Sequence, residues 1–265
     1  MKIAKVIPLF KGEGDRSSVS NYRPISLLPT LSKIFERIIC ESLTEHLEKN
    51  HLLFDYQFGF RKKRNTTLAI LDFVNKITDA IDNGNTAAGI FLDLSKAFDS
   101  VNHNILLDKL TYYGIKNDAL KWFVSYLKDR VQYVSIEDQQ SETLPLTYGV
   151  PQGSILGPIL FLIYINDSQF AIEIAHLVLY ADDMNLLFSH KCFKKIVPVL
   201  NNELHNLQEW FNANRLTVNL TKTKFIHFAS KQRIKHMMPL NESGTDLTFH
   251  GICISTTCVE KWQNQ

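Results

Sequence analysis

Three aspartates in this 265-residue sequence are placed where their carboxylates could share one reaction. Asp93 ends a run of small and apolar residues, so its carboxylate is expected to emerge at the end of a buried strand. Asp182 and Asp183 interrupt the apolar stretch 177–188, and a tight turn there would let both side chains reach one locus. Three carboxylates on two neighbouring strands suit hard cations such as Mg²⁺. Two such ions, roughly 3.5–4 Å apart, hold the attacking and leaving oxygens of an in-line phosphoryl displacement.

An acidic turn and an unrelated strand-end aspartate would explain the same residues without shared chemistry. Two features favour a shared site. Phe98 follows Asp93 by five residues, where the chain passes from strand to helix, so an aromatic face can stand near a metal. The stretch GVPQGSILGP at 149–158 is a turn that opens into a helix N-terminus. Its backbone N–H groups and Gln152 could contact a nucleotide, as helix N-termini do with phosphates.

Hydrophobic periodicity predicts the elements of the N-terminal part. Strands are predicted at 2–10 and 22–28, and helices over 31–50 and 66–82. The first of these helices carries six large apolar residues at helical spacing: Leu31, Ile34, Phe35, Ile38, Leu43 and Leu47. The pattern therefore predicts a small basic α+β unit over residues 1–85.

Hydrophobic periodicity also predicts strands and helices in the remaining part of the chain. Paired strands are predicted at 131–136 and 143–150, and an almost wholly apolar helix follows over 154–167. The stretch around the two aspartates reads as a hairpin with strands at 176–180 and 185–188, followed by a helix near 196–213. Together these elements predict an α+β fold, with an antiparallel sheet and helices packed on one face.

Composition and charge narrow the class of protein. The chain is 45% hydrophobic, which is enough for a large core, and its formal net charge is only +2. Nucleic-acid binding therefore cannot be argued from the total charge. The run RKKR at 61–64 and the basic residues between 222 and 235 are concentrated enough to favour phosphates, although solvated surface would explain them equally well.

The cysteines and the apolar segments bear on the compartment. The four cysteines lack metal-binding spacing, which favours buried thiols in a reducing compartment and predicts neither zinc nor disulfides. Lys2 and Lys5 interrupt the first apolar run, so no signal peptide is predicted. The longest apolar segment, 155–165, is too short to span a bilayer. We predict an intracellular protein with no membrane partner, in either the nucleus or the cytoplasm.

Five motifs, taken in order, resemble the reverse transcriptase domain of non-LTR (LINE-type) retrotransposons of the jockey-like kind. They are NYRPISLL, QFGFRKKRNT, FLDLSKAFDSVNH, GVPQGSILGP and YADD, and the likeness covers about residues 2–229. The resemblance implies a right-hand polymerase with fingers at 1–85 and palm at 86–230. Residues 231–265 would be a partial primer-grip region and tail, and the thumb would be largely missing.

The resemblance also implies an activity and partners. The chain would be an RNA-directed DNA polymerase that adds dNTPs to a DNA primer on an RNA template. It would act within a ribonucleoprotein, and further domains of the full-length element, an endonuclease and the thumb, would be absent from this sequence.

Roles at the carboxylate site follow from the same resemblance. Asp93, Asp182 and Asp183 would bind two Mg²⁺ ions, with Mn²⁺ as a substitute, and the backbone carbonyl of Leu94 would be a further ligand. Asp93 and Asp182 would touch both ions, and Asp183 would support them. Lys222, in NLTKTKF, would lie near the leaving pyrophosphate and act as general acid.

Contacts with the dNTP and the nucleic acid are implied in the same way. Phe98 would be the steric gate, because its ring would occupy the space that a ribose 2′-OH needs. The expected dNTP contacts are Phe98, Gln152, Gly153, Arg23 and Lys11. The expected nucleic-acid contacts are Tyr180, under the primer end, and Arg61, Lys62, Lys63 and Arg64.

Two other functions stay open on the sequence. A truncated, non-catalytic nucleic-acid-binding remnant of such an element would keep these motifs without activity. An RNA-directed RNA polymerase would share the two-metal chemistry, but Phe98 argues against it because the gate would disfavour rNTPs. The retained acids, Phe98 and Gln152 favour the RNA-directed DNA polymerase.

Overall fold

The computed structural model describes residues 2–230 and, beyond them, the backbone of short strands at 248–249, 252–253 and 256–258. The predicted tail at 231–265 therefore lies largely outside the described residues. Among the described residues, no helix combines the length and apolar character needed to cross a bilayer.

Short runs of strands and of helices follow one another along the chain. In order they are β1 (Ile3–Phe10), β2 (Tyr22–Leu27), α1 (Thr30–Lys49), α2 (Thr66–Asp82), β3 (Thr86–Leu92), α3 (His103–Tyr112), α4 (Asn117–Leu127), β4 (Val131–Ile136), β5 (Gln139–Gln140), β6 (Leu144–Pro145), α5 (Gly157–Ile165), β7 (His176–Tyr180), β8 (Asp183–His190), α6 (Ile196–Ala213), β9 (Lys224–Phe228), β10 (Thr248–Phe249), β11 (Ile252–Cys253) and β12 (Thr256–Cys258). The predicted α+β class is confirmed.

These elements form two compact units. The first comprises Met1–Leu53 and Lys96–Asn166, and the second comprises Phe54–Ser95 and the described residues from Asp167 onwards. The fingers and palm ranges expected from the sequence, 1–85 and 86–230, are functional subdomains and stay predictions.

The first unit contains a sheet in which β1 lies between β2 and β4. β1 pairs with β2 antiparallel and with β4 parallel, and β4 also pairs antiparallel with β5 and β6. The predicted pairing of the strand at 131–136 with the segment after 143 is therefore confirmed. Helix α5 lies in the core, because every residue from Ile159 to Ile165 is buried, and its Pro158 is in the first turn, where a missing N–H costs nothing.

Helix α1 departs from the apolar face expected for it. Leu43 and Leu47 are buried, but more than half of the side-chain surface is exposed at Leu31, Ile34, Phe35 and Ile38. Glu36 is buried instead, and its carboxylate accepts hydrogen bonds from the Tyr126 hydroxyl (3.0 Å) and the Ile155 backbone N–H (2.8 Å). Those partners turn the polar side of the N-terminal half inward, so only the C-terminal half of the predicted face is packed.

The second unit contains a sheet with the strand order β12-β9-β3-β8-β7. β3 pairs antiparallel with both β8 and β9, and β8 pairs antiparallel with β7. Helix α2 packs on one face through Phe73 and Ala80, which join Ala87, Val178 and Leu187 in a buried cluster. The predicted packing of a helix on one face is confirmed, and the alternate residues Ala88, Ile90 and Leu92 are buried too.

Candidate active site

The predicted hairpin carries Asp182 and Asp183, and its turn is tighter than expected. Tyr180 of β7 pairs directly with Asp183, the first residue of β8, so only Ala181 and Asp182 form the turn. Ala181 has a φ of 55°, which a residue with a side chain rarely adopts. Asp93 follows the last residue of β3, the strand beside β8. The second unit therefore presents all three aspartates at adjacent strand ends.

A short antiparallel bridge places Lys222 beside Asp93. The Asn219 N–H donates to the Asp93 carbonyl (2.7 Å), and the Ser95 N–H donates to the Thr217 carbonyl (2.8 Å). The chain then turns into β9, and this turn leaves Lys222 Nζ 3.5 Å from Asp93 Oδ2. These bonds involve the backbone of Asp93 and Ser95, and the Leu94 carbonyl accepts neither of them.

The carboxylates disfavour one another's negative charge. Burial raises the pKa of Asp182, and the charge of Asp93 adds to this rise. Burial also raises the pKa of Asp183, although its side chain is the more exposed of the two, and the charges of Asp182 and Asp93 raise it further. Lys222 opposes both shifts. Because one lysine offsets three acids incompletely, added positive charge would stabilise the cluster.

The donor set fits hard divalent cations. Within residues 2–230, no group of three His, Cys, Asp or Glu side chains is placed so that it could hold a metal ion by itself. Mg²⁺ seldom needs one, since it keeps several waters and usually takes one or two carboxylates together with substrate phosphates. A bound cation would offset the repulsion that raises the pKa values of Asp182 and Asp183.

A cavity of about 670 Å³ opens beside the carboxylates. Asp93, Asp183 and Lys222 contribute its polar wall, and Tyr180 lies against the same space. The rest of the lining is mainly apolar and includes Phe73 of α2 and Phe228 of β9. The structure thus brings Tyr180 together with the acids, and its contact with a primer stays a prediction.

Gln57 is a site residue that the sequence analysis missed. It is 2% exposed, and its Oε1 accepts hydrogen bonds from the backbone N–H groups of Gly59 (2.7 Å) and Ala181 (3.0 Å). Gln57 is the first residue of the motif QFGFRKKRNT, but that motif does not show that its side chain bonds Ala181, which lies far along the chain. Gly59 is the local signal of a close approach, since a Cβ at this position would lie 2.2 Å from the Ala181 nitrogen.

In the first unit, the two segments that carry Phe98 and Gln152 run side by side. The Gly149 N–H donates to the Val101 carbonyl (2.7 Å), and the Val150 N–H donates to the Phe98 carbonyl (2.8 Å). The Phe98 ring stacks on the buried Phe161 ring, with centroids 4.7 Å apart.

Asp99 is a second residue that the sequence analysis passed over. Its Oδ1 accepts a hydrogen bond from Gln152 Nε2 (3.1 Å), which fixes the side-chain amide of Gln152. Burial raises the pKa of the Asp99 carboxyl, while the bond from Gln152 and the nearby Lys96 lower it. The acid directly after Phe98 is thus tied to the loop that follows β6.

Strand β2 is tied to the same loop. The Ser26 N–H donates to the Gln152 carbonyl (2.6 Å), and a Cβ at Gly153 would lie 2.7 Å from the Ser26 carbonyl oxygen. Gly153 also has a φ of 109°, so glycine is required there on two counts. Arg23 is exposed on this strand. Lys11 is bonded within its own hairpin, through Nζ to the Ser20 carbonyl (2.7 Å).

The basic run after Gly59 divides into two kinds of residue. Arg61 donates to the Phe54 carbonyl (2.7 Å), and Arg64 contacts both the carbonyl and the carboxylate of Asp55. Both arginines thus stabilise the loop on which they lie. Lys62 and Lys63 are exposed. Nucleic-acid contacts by all four residues stay predictions.

Comparison with known proteins identifies the class. Residues 11–253 match the family described as reverse transcriptase (RNA-dependent DNA polymerase), and the chain belongs to this family. It is 34% identical to a probable RNA-directed DNA polymerase from transposon BS and 32% identical to the RNA-directed DNA polymerase from mobile element jockey, both of Drosophila melanogaster. These matches cover 84% and 87% of this chain but only 25% and 26% of the relatives. The chain therefore spans about a quarter of their length.

Solved telomerase structures share the fold. Telomerase from Candida tropicalis, in complex with a fragment of telomeric RNA, matches with a TM-score of 0.59 at 16% identity, over 96% of this chain and 43% of that one. Telomerase from Candida albicans matches with a TM-score of 0.57, over 97% of this chain and 45% of that one. The right-hand polymerase fold expected from the motifs is confirmed.

Proposed function

We propose that this chain carries the nucleotidyl-transfer site of an RNA-directed DNA polymerase from a non-LTR retrotransposon. The observation that carries the proposal is the meeting of Asp93, Asp182 and Asp183 at adjacent strand ends, where burial and mutual repulsion raise the pKa of two of them. Such a cluster costs stability unless cations and a triphosphate cover it. The family match and the jockey relative support the same reaction.

The three aspartates would hold two Mg²⁺ ions, with Mn²⁺ as a substitute. Asp93 and Asp182 would be the main ligands, Asp183 would be a supporting ligand, and the Leu94 carbonyl would complete the protein ligands. When bound, these ions activate the primer 3′-OH and neutralise charge on the departing pyrophosphate.

Protein side chains would supply orientation and a proton. Lys222 would donate a proton from Nζ to an oxygen of the leaving pyrophosphate, which its position 3.5 Å from Asp93 and its 65% exposure support. Phe98, stacked on Phe161, would exclude a ribose 2′-OH. Gln152 and Gly153 would contact the incoming dNTP, and Arg23 and Lys11 would contact its triphosphate.

Template and primer would be held through their phosphates. Lys62 and Lys63 are the exposed members of the basic run and would contact the backbone, with Arg61 and Arg64 shaping the loop beneath them. Tyr180 would lie under the primer end. Base pairing, and not side chains, would then select the sequence that is copied.

Extension of a DNA primer on an RNA template, with Mg²⁺ and dNTPs, tests the proposal. Asp182→Asn should lower the rate by at least about a thousandfold, because metal charge stabilisation contributes several kcal/mol and each 1.4 kcal/mol is tenfold. The matched control is Asp138→Asn, an exposed acid in the turn between β4 and β5, which should leave the rate unchanged.

Two outcomes would contradict the proposal. Extension that survives Asp182→Asn would remove this residue from the metal site. RNA binding by the native chain without any extension would favour a non-catalytic remnant. Phe98→Ala should raise rNTP incorporation, and unchanged sugar selectivity would remove Phe98 from the gate.

A further inference from the structure

Residues 56–58 hold the turn that carries Asp182, and none of them was predicted as a site residue. Phe58 donates its backbone N–H to the Leu179 carbonyl (2.8 Å), and the Leu179 N–H donates to the Tyr56 carbonyl (2.9 Å). Residues 56–58 therefore run beside the last residues of β7 as a short parallel bridge.

Gln57 completes this attachment at the turn itself. Its buried Oε1 accepts from Gly59 and Ala181, and its Nε2 approaches the Ala181 carbonyl at 3.5 Å. One side-chain amide thus contacts both the N–H and the carbonyl of the residue before Asp182. The close approach depends on Gly59, where a Cβ would lie 2.2 Å from the Ala181 nitrogen.

Ala181 needs such support because of its backbone. Its φ of 55° lies in the left-handed region, which a non-glycine residue keeps only when its surroundings hold it there. The next peptide carries Asp182, so any relaxation at Ala181 would turn that carboxylate away. Metal ligands tolerate errors of only about 0.5 Å in position.

We propose that Gln57 is a positioning residue, which fixes the Ala181 peptide and thereby aims Asp182 at the divalent cations. The inference rests on the proposed function for the role of Asp182 as a metal ligand. The hydrogen bonds of Gln57 do not depend on that function. A merely structural glutamine would change the stability of the unit when replaced and would leave the geometry of the turn intact.

The test compares Gln57→Met, which keeps the length of the side chain and removes its polar atoms, with a matched change elsewhere. The control is Asn214→Leu, which removes another buried amide of the same unit whose Nδ2 bonds the Trp210 carbonyl. Gln57→Asn, one methylene shorter, serves if the methionine variant fails to fold. Amide hydrogen exchange over residues 177–184 reports the turn, and Mn²⁺ affinity by electron paramagnetic resonance reports the carboxylates without any nucleotide.

Gln57→Met, or Gln57→Asn, should speed exchange over 177–184 at least tenfold and weaken Mn²⁺ binding about tenfold. Asn214→Leu should change neither, whatever it does to the melting temperature. Native exchange and native Mn²⁺ affinity in the Gln57 variants would overturn the proposal, as would equal changes in the Asn214 variant.

Asp182→Asn separates this proposal from the proposed function. If Asp182→Asn leaves Mn²⁺ affinity at the native value, the metal site fails. The role of Gln57 at the turn is then decided by hydrogen exchange alone, with faster exchange supporting it and native exchange overturning it.

Discussion

The carboxylate cluster and the Gln152 loop are held by different means. Asp93 and Asp183 adjoin or belong to paired strands, and Asp182 occupies a two-residue turn between two of them. Gln152 itself belongs to no strand. Backbone hydrogen bonds to Phe98, Val101 and Ser26 hold the loop, together with glycines that allow backbones to touch.

Because of this difference, substitutions at the carboxylate cluster should affect the reaction, whereas substitutions in the Gln152 loop should affect the folded structure. At strand ends, an isosteric change of side chain removes charge and leaves the ladder of backbone bonds intact. In the loop, the contacts that set the geometry are made by the backbone itself, so a single added methyl group is enough to disturb it. Substitutions in the two regions should therefore fail in different assays.

The largest expected effect compares two acids six residues apart. Asp93→Asn should lower primer extension at least about a thousandfold with no loss of stability, because it removes a charge that the proposed metal ions would need. Asp99→Asn should raise the KM for dNTP about tenfold and leave kcat within threefold, since it weakens one charge-assisted hydrogen bond to Gln152. Steady-state kinetics with both variants measure the split. Equal losses of kcat would erase the distinction between the two regions.

A smaller effect is expected from a methyl group in the loop. Gly149→Ala should lower the free energy of unfolding by about 3 kcal/mol, because its Cβ would lie 2.8 Å from the Asp99 backbone and its φ is 82°. Gly12→Ala is the matched control, with a φ of 91° and nothing within 4 Å of the added atom. It should cost only about 1–2 kcal/mol for the backbone conformation. Urea unfolding measures both, and equal costs would show that the close approach is unimportant.

The smallest expected effect concerns pH and the strands beneath the acids. His227 of β9 is buried, and burial lowers its pKa from 6.5 to about 4. Thr86 donates its hydroxyl proton to the Phe228 carbonyl (2.9 Å), so it accepts from His227 Nε2. Between pH 6.5 and pH 4 the unfolded chain binds a proton that the folded chain refuses, so stability falls as the pH falls. The expected loss between pH 7 and pH 5 is about 2 kcal/mol.

Hydrogen exchange can locate that loss. At pH 5, after correction for intrinsic rates, protection in β3 should drop more than protection in β4, which belongs to the other unit. His227→Gln should abolish the difference, whereas His205→Gln, at an exposed position of α6, should preserve it. An equal drop in both strands would assign the acid sensitivity to the whole chain.

How far the sequence predicts this structure depends on whether a residue acts through its own pattern or through a distant partner. The apolar runs on either side of Asp182 and Asp183 predict the hairpin because a polar turn separates them, and the burial of β3 follows from its apolar run. Glu36 has no such signal, because its inward direction depends on Tyr126 and Ile155.

The candidate site shows the same division. Asp93, Asp182 and Asp183 were predicted from strand ends and motif order, and the structure gathers them at adjacent strand ends. Gln57 opens the motif QFGFRKKRNT, but its role was not predicted, because the local sequence does not reveal a hydrogen bond to a backbone group far along the chain. Residues that bond the backbone of a distant segment are therefore the part of a site that a single sequence conceals.

The sheet order has a consequence for synthesis on the ribosome. Ala87 of β3 pairs with Ser189 on one side and Phe228 on the other, and both partners are translated long after it. An almost wholly buried strand therefore keeps one edge unpaired after β8 has been made, until the residues of β9 leave the exit tunnel. Translation that stalls before β9 would expose the strand that leads to Asp93, and such nascent chains should be early clients of chaperones.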